Sequence, residues 1–376
     1  MGHIEEKITL NYILNKGYDG SLFASETRGC NIKINGKWLL DTSMGCGTFI
    51  LGHGFTNDAV KKAIDKGSLY ACPNVLAEEC GKLLHKTTWF NHFIFANSGM
   101  EAIAKSIRVA RAYTGRDKVA FFLGGWHGGL DYGLVSYSKG IPQTIKYLTI
   151  ALPFNSTAFE ILEREKPAIV IIEPVQSSCP IDRREFLAEL REFTTAHNIV
   201  LCFDEVKTGF RMSLGGGGEY LGITPDLACY GKIVGGGYPV GVIAGDEVLE
   251  TEGVRYGGTF SANPITLTAC IETLKALVDY PPYIELRNSL HILSRIKSDI
   301  IQIMNFGCIG RLVFTTRKIK NSNERDEFEL PKKEQDKLIS KLRKMGVYVA
   351  NNKSILLSTL HTEEKVNFIK QCLESL

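Results

Sequence analysis

Between residues 55 and 270, short apolar runs alternate with stretches whose apolar positions recur every three or four residues. In GMEAIAKSIRVARAYTGRDK (99–118), Ile103, Ile107 and Ala110 fall on one helical face, and the preceding ANSG supplies a helix entry. KVAFFL (118–123), AIVIIEP (168–174), NIVLCFDE (198–205), LACYGK (227–232) and VGVIAG (240–245) are short and almost wholly apolar. Such runs predict strands buried on both faces. RREFLAELREFTTAHN (183–198) predicts an amphipathic helix between two of them. The alternation predicts an α/β fold with a mostly parallel central sheet covered by helices.

The ends read differently. CNIKINGKWLLDTSMGCGTFI (30–50) has an Asn-Gly pair between alternating runs, which predicts a hairpin. Residues 265–305 predict helix, followed from 306 by a short strand, CIGRLVFTT. The charged stretch RKIKNSNERDEFELPKKEQDK is expected on the surface. GVYVA and ILLSTLHT predict strands, and TEEKVNFIKQCLESL a closing helix. The expected organisation is a large domain over 52–270 and a smaller α+β domain from the two termini, 1–51 and 271–376.

Composition narrows the function classes. Lys and Arg number 44 against 41 Asp and Glu, so the net charge of +3 predicts no general attraction to nucleic acid or membrane surfaces. Ten cysteines are scattered without a CxxC pair or zinc spacing, which predicts reduced thiols and no metal site. MGHIEEKITLNYILNK lacks the unbroken apolar stretch of a signal peptide, and no run reaches membrane-span length. A cytoplasmic enzyme is the expectation.

Chemistry gathers at strand ends, where parallel sheets place their ligands. VIIEP ends in Glu173, LCFDE in Asp204 and ACYGK in Lys232. Any one acid there has a bland reading as a turn former; three charged groups on one edge say more. Lys232 fails as a phosphate-loop lysine, because Asp226 stands where that motif needs its first glycine and Ile233 follows the lysine. It suits a Schiff-base lysine better. Pyridoxal phosphate (PLP) needs amide N–H groups for its phosphate, a carboxylate for its ring nitrogen and an aromatic neighbour. NSGMEA at a helix start, Asp204 and Trp126 in GGWHGG offer these.

These motifs resemble the class III PLP-dependent aminotransferases, and within them the glutamate-1-semialdehyde aminomutase group. The resemblance runs from LLDTSMGCGTFILGH (39–53) through FDEVKTGFR, PDLACYGKIVGGGYPVG and GGTFSANP to GVYVA and STLHTEE. It implies the PLP type I fold in a homodimer with shared active sites. It implies that Lys232 holds PLP and shuttles the proton, while Asp204 pairs with the ring nitrogen. Val206 and Trp126 would cover the two ring faces. Ser98, Gly99 and Met100 would cradle the phosphate, with Thr259 reaching it from the partner subunit. Glu173 and His127 would support the cofactor, with purely structural roles left open for both.

The chain departs from that group at positions near the cofactor and in the substrate pocket. Met100 replaces the usual Thr, Ser178 the usual Asn, and Lys207 stands where Gln or Met is common. The chain begins short of the segment that carries the aminomutase's substrate arginine, and Arg28 does not align with it. NNKSILLS (351–358) lacks an acid found there in the aminomutase. The expectation is therefore transamination from a donor such as glutamate to a small carbonyl acceptor, phosphorylated or sugar-derived. Arg28, Lys207 and Lys353 are the candidate cations for an acidic substrate. The alternative is the aminomutase reaction or other PLP chemistry, with a non-catalytic binding module as a further reading.

Overall fold

The computed structural model describes residues 22–70, 72–136 and 138–376. The opening stretch 1–21, assigned above to the small domain, lies outside the described residues. Strands β1 (Ala24–Arg28), β2 (Asn31–Ile34) and β3 (Lys37–Asp41) form an antiparallel meander. Ile34 faces Lys37 across a two-residue turn whose Asn35 and Gly36 both have positive φ, 48° and 78°. That is the conformation the Asn-Gly pair favours.

The apolar runs form one seven-stranded sheet. Its strands are β4 (His92–Ala96), β5 (Val119–Phe122), β6 (Thr149–Leu152), β7 (Ile169–Ile172), β8 (Val200–Asp204), β9 (Leu227–Gly231) and β10 (Gly241–Gly245), in the order β4-β10-β9-β8-β7-β5-β6. Only β10 runs against its neighbours, β4 and β9. Every residue of β5, β7, β8, β9 and β10 is buried, because helices cover both faces. The helix Gly99–Thr114 packs Ile103, Ile107 and Ala110 against one face, and Arg184–Ala196 packs Leu187 and Leu190 against the other. Each such large apolar side chain contributes about 1.5–3 kcal/mol by leaving water.

The last third returns to the first. After the helices Pro264–Asp279 and Tyr283–Ser294, β11 (Gln302–Phe306) pairs with β12 (Ile309–Val313). β13 (Val347–Tyr348) runs parallel to β3, and β14 (Ser354–Ile355) joins β12. The helical expectation thus stops at Ser294: residues 302–306 are a strand, turned back onto β12 at Gly307, whose φ is 57°. A second expectation also changes. The charged stretch is not all surface, since the helix Ser322–Phe328 buries Arg325, whose guanidinium bonds the Ser178 carbonyl oxygen. A long cationic side chain can bury its stem and still satisfy its head on backbone oxygen. No helix of the described residues is long and apolar enough to cross a membrane. All ten cysteines are free thiols.

Candidate active site

A cleft of about 400 Å³ opens at the carboxyl ends of β8 and β9. Ser98, Gly99, Met100, Trp126, His127, Asp204, Val206 and Lys232 all line it. Thr48, Asn97, Ile103 and the segment 237–240 complete its walls.

One wall is a helix start. Ser98 caps the helix Gly99–Thr114, its side chain accepting from the Glu101 amide at 3.2 Å. Glu101 answers by accepting from the Asn97 amide at 2.8 Å and its side-chain amide at 2.9 Å. This reciprocal cap leaves the first N–H groups of the helix facing the cleft. Packing holds that helix start in place. A Cβ on Gly99 would lie 2.4 Å from a Val206 methyl, and one on Gly241 would lie 2.1 Å from the Ser98 carbonyl oxygen. The Met100 sulfur accepts from the Gly129 amide at 3.2 Å, tying the helix start to the loop after Trp126.

Asp204, the last residue of β8, is buried with both oxygens engaged. Oδ2 lies 2.7 Å from His127 Nδ1, and Oδ1 accepts from the Val206 amide at 3.0 Å. His127 therefore orients Asp204 directly, while its own Nε2 has no partner among the described residues. Glu173, just past β7, accepts from the Trp126 amide at 2.8 Å, and burial raises its pKa. It fixes the backbone of the Trp126 loop. Trp126 itself is 62% exposed in the single chain.

Lys232 follows β9 with a φ of 48°. A lysine held in this left-handed conformation costs about 1–3 kcal/mol, a strain typical of functional sites. The glycines after it permit the turn: Gly236 and Gly237 have φ of 55° and 108°, and a Cβ on Gly237 would lie 2.5 Å from the Phe49 ring. Lys207 is half-buried and donates to Ser177 Oγ at 2.6 Å. Burial and the Lys232 charge push its pKa down to about 8.

Two groups that sequence reasoning passed over brace the site. Arg211, fully buried, bonds the Leu357 and Gly47 carbonyl oxygens, each at 3.1 Å. One guanidinium thus joins segments from both ends of the chain, one of them next to Thr48 of the cleft wall. Glu205 accepts from the Gly217 and Gly218 amides at 2.8 and 2.7 Å and from Thr208 at 2.5 Å. These donors favour its carboxylate, while burial, the stronger influence, raises its pKa to about 7. The GFR and GGGG runs were the available signals.

Other expected residues lie apart. Thr259 is exposed on a loop and does not line the cleft. Arg28 is exposed on β1 beside Glu26. Lys353 is buried and paired with Glu329 at 3.1 Å. The Ser178 hydroxyl donates to the Gly124 carbonyl at 3.0 Å. None of the three candidate cations lines the cleft.

The cleft fits PLP in its donor set. A capped helix start suits a phosphate, a carboxylate fixed by an imidazole suits the ring nitrogen, and a lysine suits the carbonyl. Fold and site define a PLP-dependent transferase of fold type I. More narrowly, residues 13–362 match the family model Aminotransferase class-III, and the chain belongs to that family. It is similar to a glutamate-1-semialdehyde 2,1-aminomutase of Thermodesulfovibrio yellowstonii, 36% identical over 92% of this chain and 88% of the relative. Among solved structures it is similar to an omega-transaminase of Sphaerobacter thermophilus. The TM-score is 0.85 and identity 29%, covering 94% of this chain and 90% of the other. A glutamate-1-semialdehyde aminomutase of Pseudomonas aeruginosa PAO1 shares the fold, with a TM-score of 0.83, 21% identity and 94% and 87% coverage. The names of the sequence relatives favour the aminomutase alternative over the expected intermolecular transamination.

Proposed function

We propose that this chain moves an amino group between a primary-amine carbon and a small aldehyde or ketone carbon, by an aminomutase-type exchange within one substrate. The likeness to aminomutases over nine-tenths of the chain carries this reading. PLP, when bound, supplies an electron-withdrawing ring that stabilises negative charge on the amino-bearing carbon. Lys232 Nζ holds the cofactor carbonyl and then takes and returns the proton at the substrate carbon. Asp204 keeps the ring nitrogen protonated, and His127 holds Asp204 in place. Gly99 and Met100 amides bind the phosphate. Val206 and Trp126 cover the ring and keep water off it. The reading includes a homodimer in which Thr259, exposed in one chain, reaches the partner's site.

A second reading, transamination with an external donor, is favoured by residues 351–358, which carry no acid. One experiment separates the two. Glutamate 1-semialdehyde supplied alone is converted to 5-amino-4-oxopentanoate by the aminomutase reaction, because amino and carbonyl groups exchange carbons and no donor is consumed. The second reading instead requires a donor such as L-glutamate and releases 2-oxoglutarate. If neither product forms, both readings fail.

A further inference from the structure

His127 stands between two cavities. Its Nδ1 meets Asp204 at the cleft, and its ring also lines a second cavity of about 40 Å³. Phe122, Gly125, Tyr132, Ser136 and Ala151 share that second wall, and Ser136 and Ala151 are exposed, so the cavity reaches solvent. Its volume suits one water molecule, whose share of the liquid is about 30 Å³.

The ring needs a partner on this side. The Asp204 carboxylate accepts at 2.7 Å, so Nδ1 carries the hydrogen and the lone pair of a neutral imidazole falls on Nε2. His127 is 4% exposed, and its Nε2 has no partner among the described residues. Gly125 shows what surrounds that nitrogen. A Cβ on Gly125 would lie 2.8 Å from His127 Nε2, 3.1 Å from the Phe122 carbonyl oxygen and 3.6 Å from the Gln176 side-chain nitrogen. Two acceptors and a donor thus converge over a residue without a side chain. The Phe122 oxygen accepts from the Gly125 amide, and Gln176 Nε2 donates to the Leu123 carbonyl oxygen. Each has capacity for one more bond. Buried polar atoms that face a small shared space are bridged by ordered water.

We propose that this cavity is the binding site of one ordered water molecule, which donates to His127 Nε2 and to the Phe122 carbonyl and accepts from Gln176. The water makes His127 a positioning residue held at both ends, by Asp204 on Nδ1 and by the water on Nε2. A ring bonded at one nitrogen can pivot about that bond. A ring bonded at both is fixed, and it fixes the carboxylate that Asp204 presents to the cleft. This positioning role rests on the PLP-dependent reading of the site; the water site itself does not.

The test uses the PLP-loaded protein labelled with ¹⁵N-histidine, and its Gly125→Ala variant. Alanine is allowed at Gly125, whose φ is not left-handed, and its methyl group would lie against Nε2. The wild-type protein is expected to show magnetisation transfer from water to the His127 ring and the ¹⁵N shift of a hydrogen-bonded Nε2. Gly125→Ala is expected to lose both signals and to bind PLP about tenfold more weakly in an absorbance titration. His127→Asn keeps an N–H for Asp204 but does not reach the cavity, so it should show the same loss of affinity; it replaces Gly125→Ala if that variant does not fold. No water contact and an unbonded Nε2 in the wild-type protein would overturn the water site. Native PLP affinity in a variant that has lost the water would overturn the positioning role. Failure of the wild-type protein to take up PLP would overturn the functional reading, a separate result, and the NMR signals would still decide the water site.

Discussion

Gly241→Ala is a small change with a large expected consequence. Gly241 opens β10 and is paired on both sides, with Ala96 of β4 and Gly231 of β9, so its backbone cannot retreat. Its φ is not left-handed, so alanine is tolerated conformationally and only the contact decides. The added Cβ would lie 2.1 Å from the Ser98 carbonyl oxygen and 3.2 Å from the Gly99 nitrogen. Relief requires the Ser98 peptide to shift by about an ångström, and overpacking of this kind costs about 1–3 kcal/mol. That peptide begins the proposed phosphate cradle. A displacement of about an ångström at a site of this kind costs about 100-fold in rate. The assay is PLP titration of the apoprotein by absorbance, with thermal unfolding alongside. Gly81→Ala, on the helix Val75–Thr87, is the control, because nothing lies within 4 Å of its Cβ, its φ is not left-handed and it does not line the cleft. Gly241→Ala is expected to weaken PLP binding at least about tenfold and lower the unfolding midpoint, with PLP affinity unchanged in Gly81→Ala. Native PLP affinity in Gly241→Ala would refute the placement of the cradle at Ser98.

Met100→Thr is expected to tighten PLP binding by supplying a hydroxyl donor; weaker binding in the titration would show that the Met100–Gly129 contact matters more. Thr259→Ala is expected to weaken PLP binding about tenfold if the residue serves a partner's phosphate. Unchanged affinity in that titration would remove Thr259 from the site. His361 is buried, and its Nδ1 accepts from the Ser358 amide at 3.1 Å, so it is held neutral. Burial lowers its pKa from 6.5 to about 4. Between those values the unfolded chain binds the extra proton, so stability rises with pH and is lost as pH falls from 6.5 toward 4. His361→Gln should flatten that part of the profile in thermal unfolding at pH 4–7; an unaltered slope would exclude His361 as its source.

What could be read from the chain, and what could not, follows from the range of the forces involved. Asp204 and Lys232 were legible because an apolar strand that ends in a charge is a local pattern with a general rule behind it. The Asn35-Gly36 turn was legible for the same reason. Residues 302–306 were read as helix because Ile300, Ile301 and Ile303 fit more than one period, and only pairing with β12 decides. Arg325 and Arg211 were missed because their partners are carbonyl oxygens far along the chain, of Ser178, Gly47 and Leu357. The link from His127 to Asp204 spans 77 residues and has no local signature. Lys207 stood out by its neighbourhood in the motif, but its bond to Ser177 emerged only in three dimensions.

The most direct measurement is to load the protein with PLP, reduce it with borohydride and locate the modified residue by peptide mass spectrometry. Reduction fixes the cofactor covalently to whichever lysine holds it. The expected result is a pyridoxyl group on Lys232 and on no other residue, lost in Lys232→Ala. A label on Lys207, or none at all on a protein that has taken up PLP, would contradict the assignment of Lys232.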